Sequence, residues 1–211
     1  MLATAAAIAG GWTTGTHGLR ADVDGDGRPD TLTLARHKRF FVLRLDTRDR
    51  LISKTVRGFS GYKPSAQGEP RIVALRQLNR RRGLEVLVRV WHGASNDFLV
   101  LFTLSGGRIV AMTGGPHDPA DPPFVWDLDG SAGTAMSQAD CVARGRVGVV
   151  LRWHHRGVWH QRLTLYNASA TRFARAAVYE VASKQLRSPP RDWPMVRRLE
   201  FESCGGMSLP Q

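Results

Sequence analysis

Four aspartates fall within nine residues near the start of the chain: Asp22, Asp24, Asp26 and Asp30. The first three alternate, and Gly27 and Arg28 follow Asp26. That spacing suits a loop wrapped around a hard cation. Ca2+ takes about six to eight oxygens at ~2.3–2.6 Å, and carboxylates at alternate positions of a tight loop turn toward one point. Asp22, Asp24 and Asp26 then take the first, third and fifth positions and Gly27 the sharp turn. The Arg28 carbonyl takes the seventh position, and Asp30 the ninth, directly or through a water. Thr33 stands where an EF-hand carries its bidentate glutamate, and the flanks read as strands. The expectation is therefore a structural Ca2+ loop between two strands. The alternative is a solvated acidic turn, since Asp and Gly are ordinary turn formers.

The nonamer 22–30 has a second, altered copy at 77–85, offset by 55 residues. Val23 matches Leu78, Asp24 matches Asn79 and Asp30 matches Glu85, while Gln77 and Arg81 replace acidic residues. No metal is expected there, and the Arg81 guanidinium is expected to stand in for the cation by pairing with Glu85. A third opening, Asp127-Leu128-Asp129-Gly130-Ser131, has Ala135 in place of the last carboxylate and is read as metal-free. His154, His155 and His160 with Trp153 and Trp159 invite a transition-metal or hydrolase reading, but no carboxylate lies near them in sequence. The competing view is a surface hairpin with its tryptophans in the core. No nucleophile elbow and no glycine-rich phosphate loop is found.

The elements that would position these residues are strands. Residues 31–34, 40–45, 84–91, 98–104, 108–112, 147–153 and 158–166 are short, apolar or alternating, and rich in Val, Leu, Phe, Trp and Thr. Turn residues punctuate them at 46–49, 92–97, 105–107, 155–157 and 167–170. Residues 181–187 could form a helical turn that Pro189-Pro190 ends. Residues 196–203 read as a strand able to cover an open edge. The expected fold is all-β: repeated antiparallel meanders packed as a partial β-propeller-like or stacked-sheet domain. Its units span about 16–57, 71–112 and 124–182, with a C-terminal segment 183–211 and Gly- and Pro-rich linkers at 58–70 and 113–123. Such units cannot bury both sheet faces alone and must stack.

The acidic nonamer, followed by a hydrophobic strand and repeated at about fifty residues, resembles the FG-GAP/VCBS repeats of secreted and cell-surface proteins. The match is close over residues 16–45 and degraded over 71–104. The resemblance implies propeller-like sheet packing, extracellular residence and structural Ca2+ at Asp22, Asp24, Asp26 and Asp30. The chain departs from the family in having one good loop rather than several.

Composition bounds the rest. At 42% hydrophobic and 23% charged residues, the 211-residue chain is neither disordered nor coiled-coil in character. No apolar run approaches the ~20 residues of a membrane-spanning helix. Residues 1–11 are read as a truncated signal segment, with 7–9 fitting the cleavage pattern of an exported protein. Cys141 and Cys204 could close one disulfide in an oxidising compartment, or remain two buried thiols. The net charge is +12, and 26 of 30 basic residues are arginine, scattered except for Arg80-Arg81-Arg82. That balance fits acidic partners, though a GC-rich genome would also produce it. The expected function is a secreted, Ca2+-stabilised β-repeat module that binds or scaffolds without catalysis. It would act as a monomer on an extracellular protein or glycan rather than nucleic acid. The alternatives are a basic polyanion or nucleic-acid binder, and a hydrolase.

Overall fold

The computed structural model describes residues 12–13, 18–37, 40–56, 70–92, 96–114, 126–129, 135–184 and 204–208. Within them the secondary structure is β, with no α-helix. Three sheets form, each built on a four-stranded antiparallel meander. The first meander comprises β2 (Leu19–Ala21), β3 (Asp30–His37), β4 (Phe40–Asp46) and β5 (Leu51–Val56), and the short β1 (Trp12–Thr13) pairs with the far end of β3. The second comprises β6 (Arg71–Arg76), β7 (Glu85–His92), β8 (Asn96–Ser105) and β9 (Arg108–Ala111). Here β10 (Trp126–Asp129) adds to β8, and β15 (Gly206–Ser208) adds to β6. The third comprises β11 (Ala135–Ala143), β12 (Arg146–His155), β13 (Val158–Ala168) and β14 (Phe173–Lys184).

The sheets stack, and the second lies in the middle. Successive residues of a strand face opposite sides of a sheet, so a strand covered on both faces must be apolar throughout. β7 and β8 meet it over residues 86–88 and 99–102, although Glu85, Arg89 and Thr103 are buried in the same strands. Val86, Val88, Val100 and Phe102 pack with Leu32, Leu34, Leu43 and Leu45 of the first sheet. Their neighbours Leu87, Leu99 and Leu101 pack with Val147, Val149, Tyr166 and Phe173 of the third. The cross-strand pairs Val86↔Phe102 and Leu87↔Leu101 keep the two sets in register. The meanders therefore bury one another, as stacking units must.

Several elements differ from the sequence reading. Residues 181–184 continue β14 rather than turning into a helix, because eleven residues of β13 hold that strand in a ladder. The Ala-rich stretch has ample helix propensity, but pairing overrides it. Asp127 and Asp129 do not open the third unit: they lie in β10, opposite Phe98 and Asn96 of the second sheet. The edge of the second sheet is closed by β15, while the segment 196–203 expected to do this lies outside the described residues, as do most of the linkers and residues 1–11. Cys141 and Cys204 form a disulfide, with Cα atoms 4.9 Å apart. It ties β11 of the third sheet to the approach to β15 on the second.

Candidate metal loop

Residues 22–29 connect β2 to β3, antiparallel neighbours that bring Ala21 opposite Asp30. The pairing closes the base of the loop, and carboxylates organise the rest. Asp30 is buried, and its Oδ2 accepts the Val23 and Asp24 N–H groups at 2.9 and 3.1 Å. Asp22 accepts Gly25 N–H at 2.8 Å and Gly27 N–H at 3.0 Å. Asp24 Oδ1 accepts Asp26 N–H at 3.0 Å, and Asp26 Oδ1 accepts Arg28 N–H at 2.7 Å. Side-chain acceptors two or more residues away thus replace the ladder bonds the turn cannot make.

The result converges three of the four expected carboxylates. Oxygens of Asp22, Asp24 and Asp30 lie within 4.8 Å of one another. Two oxygens on opposite sides of a Ca2+ ion stand ~5 Å apart, so one ion can reach all three. Asp26 is outside this group, exposed, and braces the end of the loop through Arg28 N–H, while Arg28 itself is exposed. Among the described residues no other cluster of three His, Cys, Asp or Glu side chains comes together.

Asp30 carries the effect of its buried position in the loop. Burial pushes its carboxyl above the ordinary value of 3.8, and the Asp24 and Asp26 charges push the same way, against the two backbone N–H bonds. A cation in the loop would stabilise the ionised form and oppose that shift. Protons and cation therefore compete for Asp30. Ca2+ affinity is expected to fall as pH drops toward the carboxylate range, read by isothermal titration at several pH values; an affinity flat with pH would contradict it. The same shift has a stability consequence. A carboxyl whose folded pKa is raised binds its proton more tightly in the native state, so it favours folding below its unfolded value and loses that contribution as pH rises through the folded value. Burial raises Glu85 above 4.5 as well. In EDTA the chain should gain stability on acidification from neutrality toward that range, and saturating Ca2+ should remove the share due to Asp30. Urea midpoints across pH test this, and a steady loss on acidification over this range would overturn it.

The second loop, residues 77–84 between β6 and β7, repeats the bonding without the converging carboxylates. Glu85 Oε2 accepts Leu78 N–H at 2.7 Å, as Asp30 accepts Val23 N–H, and Asn79 Oδ1 accepts Arg81 N–H at 2.7 Å, as Asp24 accepts Asp26 N–H. The expected Arg81–Glu85 pair does not form. The Asn79 amide donates to Glu85 instead, Thr103 Oγ1 adds a bond at 3.4 Å, and Arg81 is exposed. The signal was present in the residue types: Asp24 becomes Asn79, which turns an acceptor into a donor aimed at the remaining carboxylate.

The two loops also dock on each other, which sequence alone did not reveal. Leu84 N–H donates to the Val23 carbonyl at 3.3 Å. Gly25 and Gly83 both have positive φ, 84° and 94°, and meet backbone to backbone. A Cβ on Gly83 would stand 2.4 Å from the Val23 oxygen, and one on Gly25 would stand 2.6 Å from Arg82. Glycine is required here by contact as well as by conformation.

The histidines do not converge. Trp153 and His160 are cross-strand partners and stack at 5.0 Å, while His154 and Trp159 form the next row at 5.2 Å. Adjacent rows face opposite sides of the sheet, so His154 and His160 cannot share a ligand. The hairpin reading put both tryptophans in the core; Trp159 is buried, whereas Trp153, on the other face, is only half-buried. The β12–β13 turn is made by Arg156 and Gly157, both at positive φ, the geometry that tight hairpins favour. No protein-family model, curated protein or solved structure matches this chain.

Proposed function

We propose that the chain is an exported, Ca2+-stabilised β-repeat module of the FG-GAP/VCBS kind, which binds or scaffolds rather than catalyses. The observation that carries the metal reading is the convergence of Asp22, Asp24 and Asp30 oxygens within 4.8 Å, in a loop whose own N–H groups already hold the carboxylates in place. A bound cation would neutralise charges that otherwise repel, and so lock the loop that docks on its neighbour. The disulfide supports residence in an oxidising compartment, where Ca2+ is abundant enough for a loop of modest affinity.

Thermal melting in EDTA and in excess Ca2+ tests the reading. At a hundred times Kd the ion adds about 2.7 kcal/mol, which for a chain of this size raises Tm by about 5–10 °C. Asp24→Ala should melt alike in both buffers. Superimposable curves for the parent protein would defeat the proposal.

A further inference from the structure

The loop end of the stack carries a second charged feature that the metal reading does not use. Arg80, Arg81 and Arg82 stand in the second loop and are exposed. Glu85, which could neutralise one of them, is buried and occupied by Leu78 N–H, Asn79 and Thr103. The Arg80 stem lies on the turn between β11 and β12, where a Cβ on Gly145 would stand 2.9 Å from its Cγ. Arg144 and Arg146 flank that glycine and are exposed too. Five guanidinium groups thus share two adjoining turns, and no described carboxylate pairs with any of them. Beside them a cavity of about 540 Å³ opens between Gln77, Val142, Arg144 and the Cys141–Cys204 bridge, within the ~300–1,000 Å³ usual for small-ligand sites.

We propose that this arginine ridge and its cavity form a binding surface for an acidic polysaccharide carrying carboxylate or sulfate groups. The inference deepens the binding role proposed above and uses none of the metal-loop carboxylates, although that loop lies against Arg82, so a bound cation should strengthen rather than create the binding. A guanidinium presents a planar fork of donors suited to oxyanions. One exposed ion pair is worth little, so five exposed arginines on two adjoining turns suit a ligand with repeated charges. Gln77 lines the cavity with its Nε2 donated to the Arg81 carbonyl at 3.0 Å, so its Oε1 is the group that would accept from a sugar hydroxyl. Val142, 52% exposed, offers an apolar wall to a sugar ring. No aromatic side chain lies among these residues to stack a nucleobase, the usual device of single-strand binders.

The test is affinity for heparin (sulfate), polygalacturonate (carboxylate) and duplex DNA of matched charge, across a NaCl series, in Ca2+ and again in EDTA. The parent should bind at least one polysaccharide more tightly than DNA, and which one tells sulfate from carboxylate. Binding that persists in EDTA supports the ridge even if melting shows no Ca2+ effect. The triple variant Arg80→Glu, Arg81→Glu, Arg82→Glu should lose roughly 30-fold or more at low salt and flatten the salt slope by about three. Arg144→Glu with Arg146→Glu should move both the same way and keeps the second loop intact, should the triple variant melt early. A control with the same charge change, Arg48→Glu, Arg108→Glu and Arg156→Glu, exposed residues outside these two turns, should stay within about three-fold. Equal loss in the control, absence of polysaccharide binding at low salt, or tighter binding to DNA would overturn the proposal.

Discussion

Glu85→Ala is expected to destabilise the chain by about 3–5 kcal/mol, more than any single change in the acidic loop. The carboxylate is 3% exposed and holds the second loop closed through Leu78 N–H and the Asn79 amide, with Thr103 behind it. Truncation leaves three buried donors without their acceptor, the Thr103 hydroxyl only weakly held at 3.4 Å; each of the two closer ones costs about 1–3 kcal/mol, and a cavity term is added. Glu85→Gln keeps one acceptor oxygen but turns an NH2 toward a donor, so it should cost about half as much. The loss should also reach the first loop, because Leu84, next to Glu85, donates to the Val23 carbonyl. Urea unfolding of both variants reads the effect. A Glu85→Ala midpoint within about 1 kcal/mol of the parent would mean that the clasp does not hold the loop.

The contrast between the two loops shows what sequence could and could not convey. The acidic loop was legible because its chemistry is local: the ligating types sit at alternate positions, and the β2–β3 pairing that closes them spans a few residues. β7 and β8 were legible because burial on both faces favours apolar runs, here residues 86–88 and 98–102, though Glu85, Arg89 and Thr103 are buried among them. β11 and β14 were not. The first mixes Ala, Ser, Gln and Asp, and the end of the second reads as a helical turn at 181–187; neither carries a two-residue alternation, and both exist by pairing with β12 and β13. The docking of Gly25 on Gly83 was hidden for the same reason, since it arises from the stacking of two sheets. Arg81 misled because a guanidinium near a carboxylate suggests an ion pair, whereas the buried position accepts the smaller, neutral Asn79 amide at less desolvation cost.

Breaking the Cys141–Cys204 bridge carries the other large expected effect. The bond closes a loop across a separation of 63 residues, and the chain-entropy relation gives about 4 kcal/mol for a loop of that length. Beyond the bridge, β15 is held by three ladder positions on β6, a Gly206 packed on the Leu75 carbonyl, and the Gln77 N–H bond to the Gly205 carbonyl at 3.3 Å. So short a strand has little hold of its own. Cys204→Ala should therefore lower stability by about 4 kcal/mol and expose the β6 edge before the sheet interior. Amide exchange should accelerate at residues 74–77 while β7 keeps its protection. Dithiothreitol should reproduce the loss in the parent and change nothing further in the variant. A reduced protein that unfolds within about 1 kcal/mol of the oxidised one, with the β6 edge still protected, would show that β15 holds without its tether. The expected outcome instead makes the bridge the clamp between the second and third sheets. Because it also forms a wall of the cavity beside Arg144, its loss should weaken polysaccharide binding in a variant that keeps every arginine.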